Sequence, residues 1–200
     1  MSRLLETIKI ADGKICNVAY HNRRLNESQK ECFGYQDFID LNDHIFISDF
    51  HSKGIYKCRV LYGKTIELIE VHKYRKRPIQ SLKIVHHDTI DYEHKYEDRT
   101  ALARLFGQRC EADDILIIKN CRVTDSYYCN IAFRNSDGRW LTPSEPLLRG
   151  TKRQRLLEEG LIYQQSIRVD DIAQFDQLTV FNSMIELGEI QIPVQNVWRD

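Results

Sequence analysis

Asp113-Asp114-Ile115-Leu116-Ile117-Ile118 and, a few residues on, Val123-Thr124-Asp125-Ser126-Tyr127-Tyr128-Cys129-Asn130-Ile131-Ala132-Phe133 decide how this chain is read. Four consecutive apolar side chains behind two carboxylates predict a strand buried on both faces. Strands continue over residues 121–133 and 139–142, around the turn Asn135-Ser136-Asp137-Gly138. Upstream, Leu82 to His86 predicts another strand, and a helix runs from about Glu97 to Phe106. Downstream, a helix from about Thr151 to Glu159 stops at Gly160, and short strands follow near Ile162, Leu178 and Ile190.

The stretch from His72 to Ser81 is polar and basic and contains Pro78, which makes it the best boundary. It divides the chain into residues 1–78, an N-terminal α+β domain, and residues 79–200. In the first part, Leu4 to Ile10 predicts a strand, and Asp12-Gly13 turns it into a second at Lys14 to Val18. A helix follows from His21 to Phe33, with Leu25, Ser28 and Cys32 along one stripe and Gly34 as its stop. Residues 54–62 and 65–71 predict two strands around Gly63-Lys64. The fold class is therefore α+β.

Composition narrows the function. Lys+Arg and Asp+Glu are equal at 29, so the net charge is zero, where a nucleic-acid binder usually shows a basic excess. Lys73-Tyr74-Arg75-Lys76-Arg77 is short and reads as a solvated connector. No run of eighteen apolar residues offers a membrane span, so no membrane partner is expected. Glu6 interrupts the opening stretch where a signal peptide needs apolar residues, so a cytoplasmic location is expected. None of the six cysteines forms a C-x-x-C pair, and reduced thiols, not a metal site, are the expectation.

Three places could carry chemistry. Gly150-Thr151-Lys152 opens a helix, whose first N–H groups and dipole favour an anion; an ordinary helix cap is the plain alternative. Arg24, early in the first helix, could pin a phosphate by two parallel hydrogen bonds, although such an arginine is usually a surface cation. Lys95 lies before a helix, and an amine nucleophile needs desolvation or neighbouring cations. Local sequence alone does not separate Lys95 from the other basic residues.

A series of motifs in order does. The chain resembles the class IV aminotransferase family, the fold-type IV pyridoxal-phosphate enzymes, nearly end to end. Glu6-Thr7-Ile8 with Asp12-Gly13 is similar to the family's "E-T-I … D-G" opening, and His21-x-x-Arg24-Leu25-x-x-Ser28 to its "H-x-x-R-L-x-x-S" helix. Lys95-x-x-x-Arg99 resembles the lysine segment of the lyase branch. Val123-Thr124-Asp125-Ser126-x-x-Cys129-Asn130-Ile131 resembles "V-T-E-G-x-x-S-N-I". Thr142-Pro143, then Leu148-Arg149-Gly150-Thr151-Lys152-Arg153, resemble "x-T-P" and "L-x-G-I-T-R". Phe181-Asn182-Ser183 is similar to the final "T-N-S" turn.

The resemblance implies two small α/β domains of the D-amino-acid aminotransferase type with the cofactor cleft between them, residues 79–200 being the pyridoxal 5′-phosphate-binding domain. It implies a Schiff base on Lys95, a phosphate gripped by Arg24 and by Gly150, Thr151 and Lys152, and a pyridine nitrogen paired with Asp125. Asn130, Asn182 and Ser183 join the cofactor-binding set, and Arg59 and Arg149 are candidates for a substrate carboxylate. The activity implied is that of a class IV aminotransferase acting on a small amino acid. The alternative is aminodeoxychorismate lyase, releasing pyruvate to give 4-aminobenzoate, and the third is an inactive cofactor-binding homologue. A homodimer is implied as well. The chain departs from the family in its shortness, in Cys121 for a glycine, in Thr151 for an isoleucine and in Leu5 for an aromatic side chain. These departures bear on substrate more than on cofactor.

Overall fold

Leu4, Glu6, Ile8 and Ile10 fall on one face of β1 (Leu4–Ala11) and all four are buried, so a carboxylate stands in an otherwise apolar row. The computed structural model describes residues 3–48 and 51–199, so Met1 and Ser2 of the opening stretch lie outside the described residues. Two units form: Met1–Lys76 with His94–Asp98, and Arg77–Glu93 with Arg99–Asp200.

In the first unit β1 turns through Asp12 and Gly13, both at positive φ, into the short β2 (Lys14–Ile15). Helix α1 (Val18–Phe33) begins earlier than its apolar stripe suggests, because Asn17 adopts the left-handed conformation and ends β2 before Val18. Gly34 at φ 65 closes the helix, its N–H reaching Gln29 and Lys30 carbonyls. Strands β3 (Ile55–Tyr62) and β4 (Ile66–Lys73) complete an antiparallel sheet of order β2-β1-β3-β4. Leu25 of α1 packs with Leu4, Ile8, Ile10, Cys58 and Val60 in the core. Asn22 and Asn26 strap residues 39–41 to the helix: Asn22 Oδ1 accepts from the Leu41 N–H (2.9 Å), and Asn26 Oδ1 from the Ile39 N–H (2.8 Å). The segment 94–98 lies along β1, with the Leu5 N–H donating to the Lys95 carbonyl (2.9 Å) and the Glu97 N–H to that of Arg3 (2.9 Å).

The second unit holds two sheets. Strand β5 (Leu82–His86) leads through helix α2 (Thr100–Phe106) to a parallel partner, β6 (Asp114–Lys119), which then pairs antiparallel with β7 (Arg122–Ser126). α2 begins at Thr100, not Glu97, because residues 95–97 are held in extended contact with β1. After a turn at residues 127–129 the chain enters β8 (Asn130–Arg134) and β9 (Trp140–Pro143). Helix α3 (Thr151–Glu158) then packs Leu156 against Ala132 of β8. Strands β10 (Tyr163–Gln165), β11 (Gln177–Phe181) and β12 (Gln191–Pro193) complete a five-stranded sheet of order β10-β9-β8-β11-β12. A last strand that sequence patterning does not announce, β13 (Val197–Trp198), joins the edge of β5. Among the described residues no helix is long and apolar enough to cross a membrane.

Asp114 opens β6 fully buried. Its Oδ1 accepts from the Ile115 N–H (2.8 Å), yet burial outweighs the N–H groups and pushes the carboxyl up to about 6. The folded state therefore holds a proton that the unfolded chain has already released between about pH 4 and 6. Asp114 stabilises the fold relative to its ionised form below that window, and the advantage is lost as pH rises through it. We predict that Asp114→Asn gains roughly 2 kcal/mol on the wild type between pH 4 and pH 7, measured by urea unfolding. A difference that does not change with pH would contradict this.

Candidate active site

Sequence dictates that Glu6 needs partners, since a lone ionised carboxylate in an apolar core is strongly unfavourable. α1 supplies them from one face. Arg24 Nε donates to Glu6 Oε1 (2.8 Å) and Arg24 Nη2 to Oε2 (2.6 Å), a two-point bond. His21, one turn earlier and fully buried, meets the same Oε2 through Nδ1 (2.6 Å). An ionised carboxylate only accepts, so Nδ1 carries the proton. Burial holds His21 below its ordinary value; the bond to Glu6 opposes that, and the charges of Arg24 and Lys95 add to it. The imidazole is thus neutral near pH 7. Burial also pushes the Glu6 carboxyl up, but Arg24 and His21 overcome it and hold it at about 2. Stability from Glu6 is present above its unfolded value of 4.5 and is lost as pH falls towards 2.

Lys95 belongs to the same unit, half-buried, its carbonyl clipped to the residue before Glu6. The charge of its ε-ammonium group is felt by His21. The structure thus brings Lys95, Arg24, His21 and Glu6 into one neighbourhood. Arg59, a candidate for substrate binding, lies on β3 and is tied by Nη1 to Glu70 Oε2 (2.6 Å).

In the second unit Asp125 sits at the end of β7 and Asn130 at the start of β8, both buried. The tight turn between them folds the Asn130 amide back: Nδ2 donates to Asp125 Oδ1 (2.8 Å) and to the Leu148 carbonyl (2.9 Å). The Leu148 N–H donates to Asp125 Oδ2 (2.9 Å). Burial pushes the Asp125 carboxyl up to about 6, and these neutral donors offset it only in part, with Arg153 adding a charge. Gly150 follows, and a Cβ there would stand 2.0 Å from Asn130 Oδ1, so only glycine allows the approach. Gly150 is extended and caps α3 with no side-chain hydrogen bond. Helix N–H groups left without a side-chain cap suit an anion.

Thr151 and Lys152 enter α3 buried, and Lys152 Nζ lies 2.5 Å from Glu186 Oε2. Arg149 is exposed, and its charge is felt by Arg153. Asn182 builds the turn after β11, its Oδ1 accepting from the Met184 N–H (2.8 Å) while Nδ2 donates to Cys129 Sγ (3.1 Å). Ser183 follows, half-buried. Asp125, Asn130, Gly150 and Asn182 therefore gather around one turn, residues 126–130. A separate cavity of about 370 Å³ is lined by Thr124 and Leu147, by Lys119 and Arg122, and by the carboxylates of Asp91, Glu93 and Glu145, and none of the candidate cofactor residues borders it. Among the described residues no cluster of His, Cys, Asp and Glu could hold a metal ion.

Sequence reasoning quoted Glu6 and His21 within motifs but gave them no role. The signal was there: Glu6 keeps the apolar phase of Leu4, Ile8 and Ile10, and a carboxylate in that phase must be paired.

Gly150→Ala changes no allowed backbone angle, because Gly150 sits at φ −66 and ψ 141. Its expected loss of about 2 kcal/mol comes from driving Asn130 off its two bonds. In an Asn130→Ala background the same change should cost much less, read from urea melts of the double-mutant cycle. Strictly additive losses would contradict the contact.

A family model described as amino-transferase class IV matches residues 68–192, more than half of the chain. An uncharacterized protein of Haemophilus influenzae is 36% identical over 186 residues, covering 92% of this chain and 98% of that one. The crystal structure of a protein of Haemophilus somnus, provisionally named 4-amino-4-deoxychorismate lyase, superposes with a TM-score of 0.85. It is 33% identical, over 92% of this chain and 97% of that one. A hypothetical aminotransferase from Mycobacterium tuberculosis in its PLP-bound form shares the fold at a TM-score of 0.77 and 16% identity, over 100% of this chain and 84% of that one. The chain therefore belongs to the class IV aminotransferase family, the fold-type IV enzymes that comprise aminotransferases and aminodeoxychorismate lyases.

Proposed function

We propose that this chain binds pyridoxal 5′-phosphate and uses it to break the Cα–H bond of an amino-bearing substrate. The observation that carries the reading is the locked carboxylate of Asp125, buried and held by two hydrogen bonds. A carboxylate has about four lone-pair sites, so a third donor, a protonated ring nitrogen, can still be met. At pH 7 Asp125 is mostly ionised, as that pairing needs. The other residues fit the group as well. Lys95 would hold the cofactor covalently through its ε-amine, and Arg24 with the first turn of α3 would take the phosphate. When bound, the cofactor supplies the electron sink for the pair released at Cα.

Lys95 would then take the α-proton on its amine, kept from full hydration by its half-buried place beside β1. Asn130 would keep Asp125 from rotating, and Gly150 would let the phosphate-side backbone approach. The same proposal carries the cytoplasmic homodimer that the motifs imply.

Two reactions share this machinery. The lyase, which turns aminodeoxychorismate into pyruvate and 4-aminobenzoate, is favoured by one observation. The Haemophilus somnus protein provisionally given that name is 33% identical across 92% of this chain. An aminotransferase acting on a small amino acid is the second reading, supported by the family description.

Purified protein supplied with pyridoxal 5′-phosphate should develop a visible absorbance and release pyruvate and 4-aminobenzoate in equal amounts from aminodeoxychorismate. Lys95→Ala should lower that rate by about a hundred-fold or more. Keto acid formation from common amino acids without pyruvate release would move the assignment to the aminotransferase. Protein that leaves the absorbance of added cofactor unchanged would remove the cofactor reading altogether.

A further inference from the structure

The opening strand holds a group that the proposed chemistry does not use. Glu6 has no accessible side-chain surface, and Arg24 keeps 15% of its own, so the ion pair has one accessible end and that end is cationic. Glu6 cannot swing away. Its strand is paired with β3 on one side, Glu6 opposite Val60, and at Leu5 it is clipped to the Lys95 carbonyl on the other. Both oxygens are occupied: Oε1 by Arg24 Nε, Oε2 by Arg24 Nη2 and by His21 Nδ1. Two bonds to one guanidinium fix its plane, which one bond or a bare charge would not do.

Glu6 is also a paradox if only charge matters. A buried carboxylate beside Arg24 removes one unit of positive charge from a place proposed to attract a phosphate. Its presence makes sense when direction matters more than net charge. The strand that carries Glu6 also carries the clip on Lys95, so one rigid segment sets the guanidinium and the lysine relative to each other.

We infer that Glu6 is a positioning residue: it aims the Arg24 guanidinium, in register with Lys95, so that the protein selects a phosphate monoester on the aldehyde it binds. This rests on the cofactor reading above. Pure charge and positioning make opposite predictions for Glu6→Gln. Removing the negative charge should strengthen phosphate binding if charge rules, and should weaken it if aim rules.

The test compares affinities for pyridoxal 5′-phosphate and for pyridoxal, which lacks the phosphate, by absorbance titration of wild type, Glu6→Gln, Arg24→Lys and Arg24→Ala. Folding of each variant is checked by circular dichroism. We expect Glu6→Gln to reduce the preference for the phosphorylated form by about ten-fold or more, the worth of one charge-assisted hydrogen bond, with pyridoxal affinity little changed. A general loss of structure would weaken both ligands alike. Arg24→Lys keeps the charge but cannot make the two-point bond, and should lose the preference as well; it decides the matter if Glu6→Gln does not fold. Unchanged or increased preference in folded Glu6→Gln would overturn the proposal, as would a full preference in Arg24→Lys when Glu6→Gln is unfolded. A wild-type preference that Arg24→Ala abolishes and Glu6→Gln leaves intact would sink the role of Glu6 alone. Wild-type protein that binds neither aldehyde would sink the cofactor reading, and this proposal with it.

Discussion

A carboxylate without solvent contact on the core side of β1 sets the terms for the first unit. Glu6 takes a position that alternation reserves for apolar side chains, and the fold accommodates it only because α1 delivers a guanidinium and an imidazole to the same spot. Replacing such a pair by apolar residues can be neutral, whereas removing one partner typically costs 3–5 kcal/mol. The pair therefore fixes orientation more than it adds stability. It joins strand to helix, and the same strand clips the segment that bears Lys95.

The second unit solves a related problem with different partners, and the contrast is instructive. Glu6 and Asp125 are both buried, yet burial is overcome in one and not in the other. Glu6 faces a fully charged guanidinium at two points and is held at about 2. Asp125 faces the dipoles of an amide and a backbone N–H, with Arg153 a lesser influence, and rises to about 6. A neutral cradle leaves Asp125 able to respond to an incoming cation, whereas Glu6 is already committed. Gly150 belongs to the same cradle, since its missing Cβ is what lets Asn130 stand where it does.

Much of the fold was legible in the sequence because alternation and turn chemistry agreed. β1, the Gly63-Lys64 hairpin, β5 and the buried run of β6 lie where residue pattern places them. The misses have local causes. α1 starts at Val18 because Asn17 goes left-handed, and α2 waits until Thr100 because residues 95–97 are drawn along β1. β13 is two residues long, too short for any period to register. For the candidate site, the motifs single out Arg24, Lys95, Asp125, Asn130 and Gly150, but single positions say nothing of pairing. That Arg24 is bound at two points by Glu6, and that Lys152 meets Glu186, depends on contacts between residues far apart in the chain. Only the phase of Glu6 within β1 carried a hint of its partner.

The proposed function turns on Lys95, which would carry the cofactor. Borohydride reduction of the protein in the presence of pyridoxal 5′-phosphate, followed by proteolysis and mass spectrometry, tests this directly. The account predicts one modified peptide, with the reduced pyridoxyl mass on Lys95. Modification confined to another lysine, or none above the level seen with denatured protein, would contradict it.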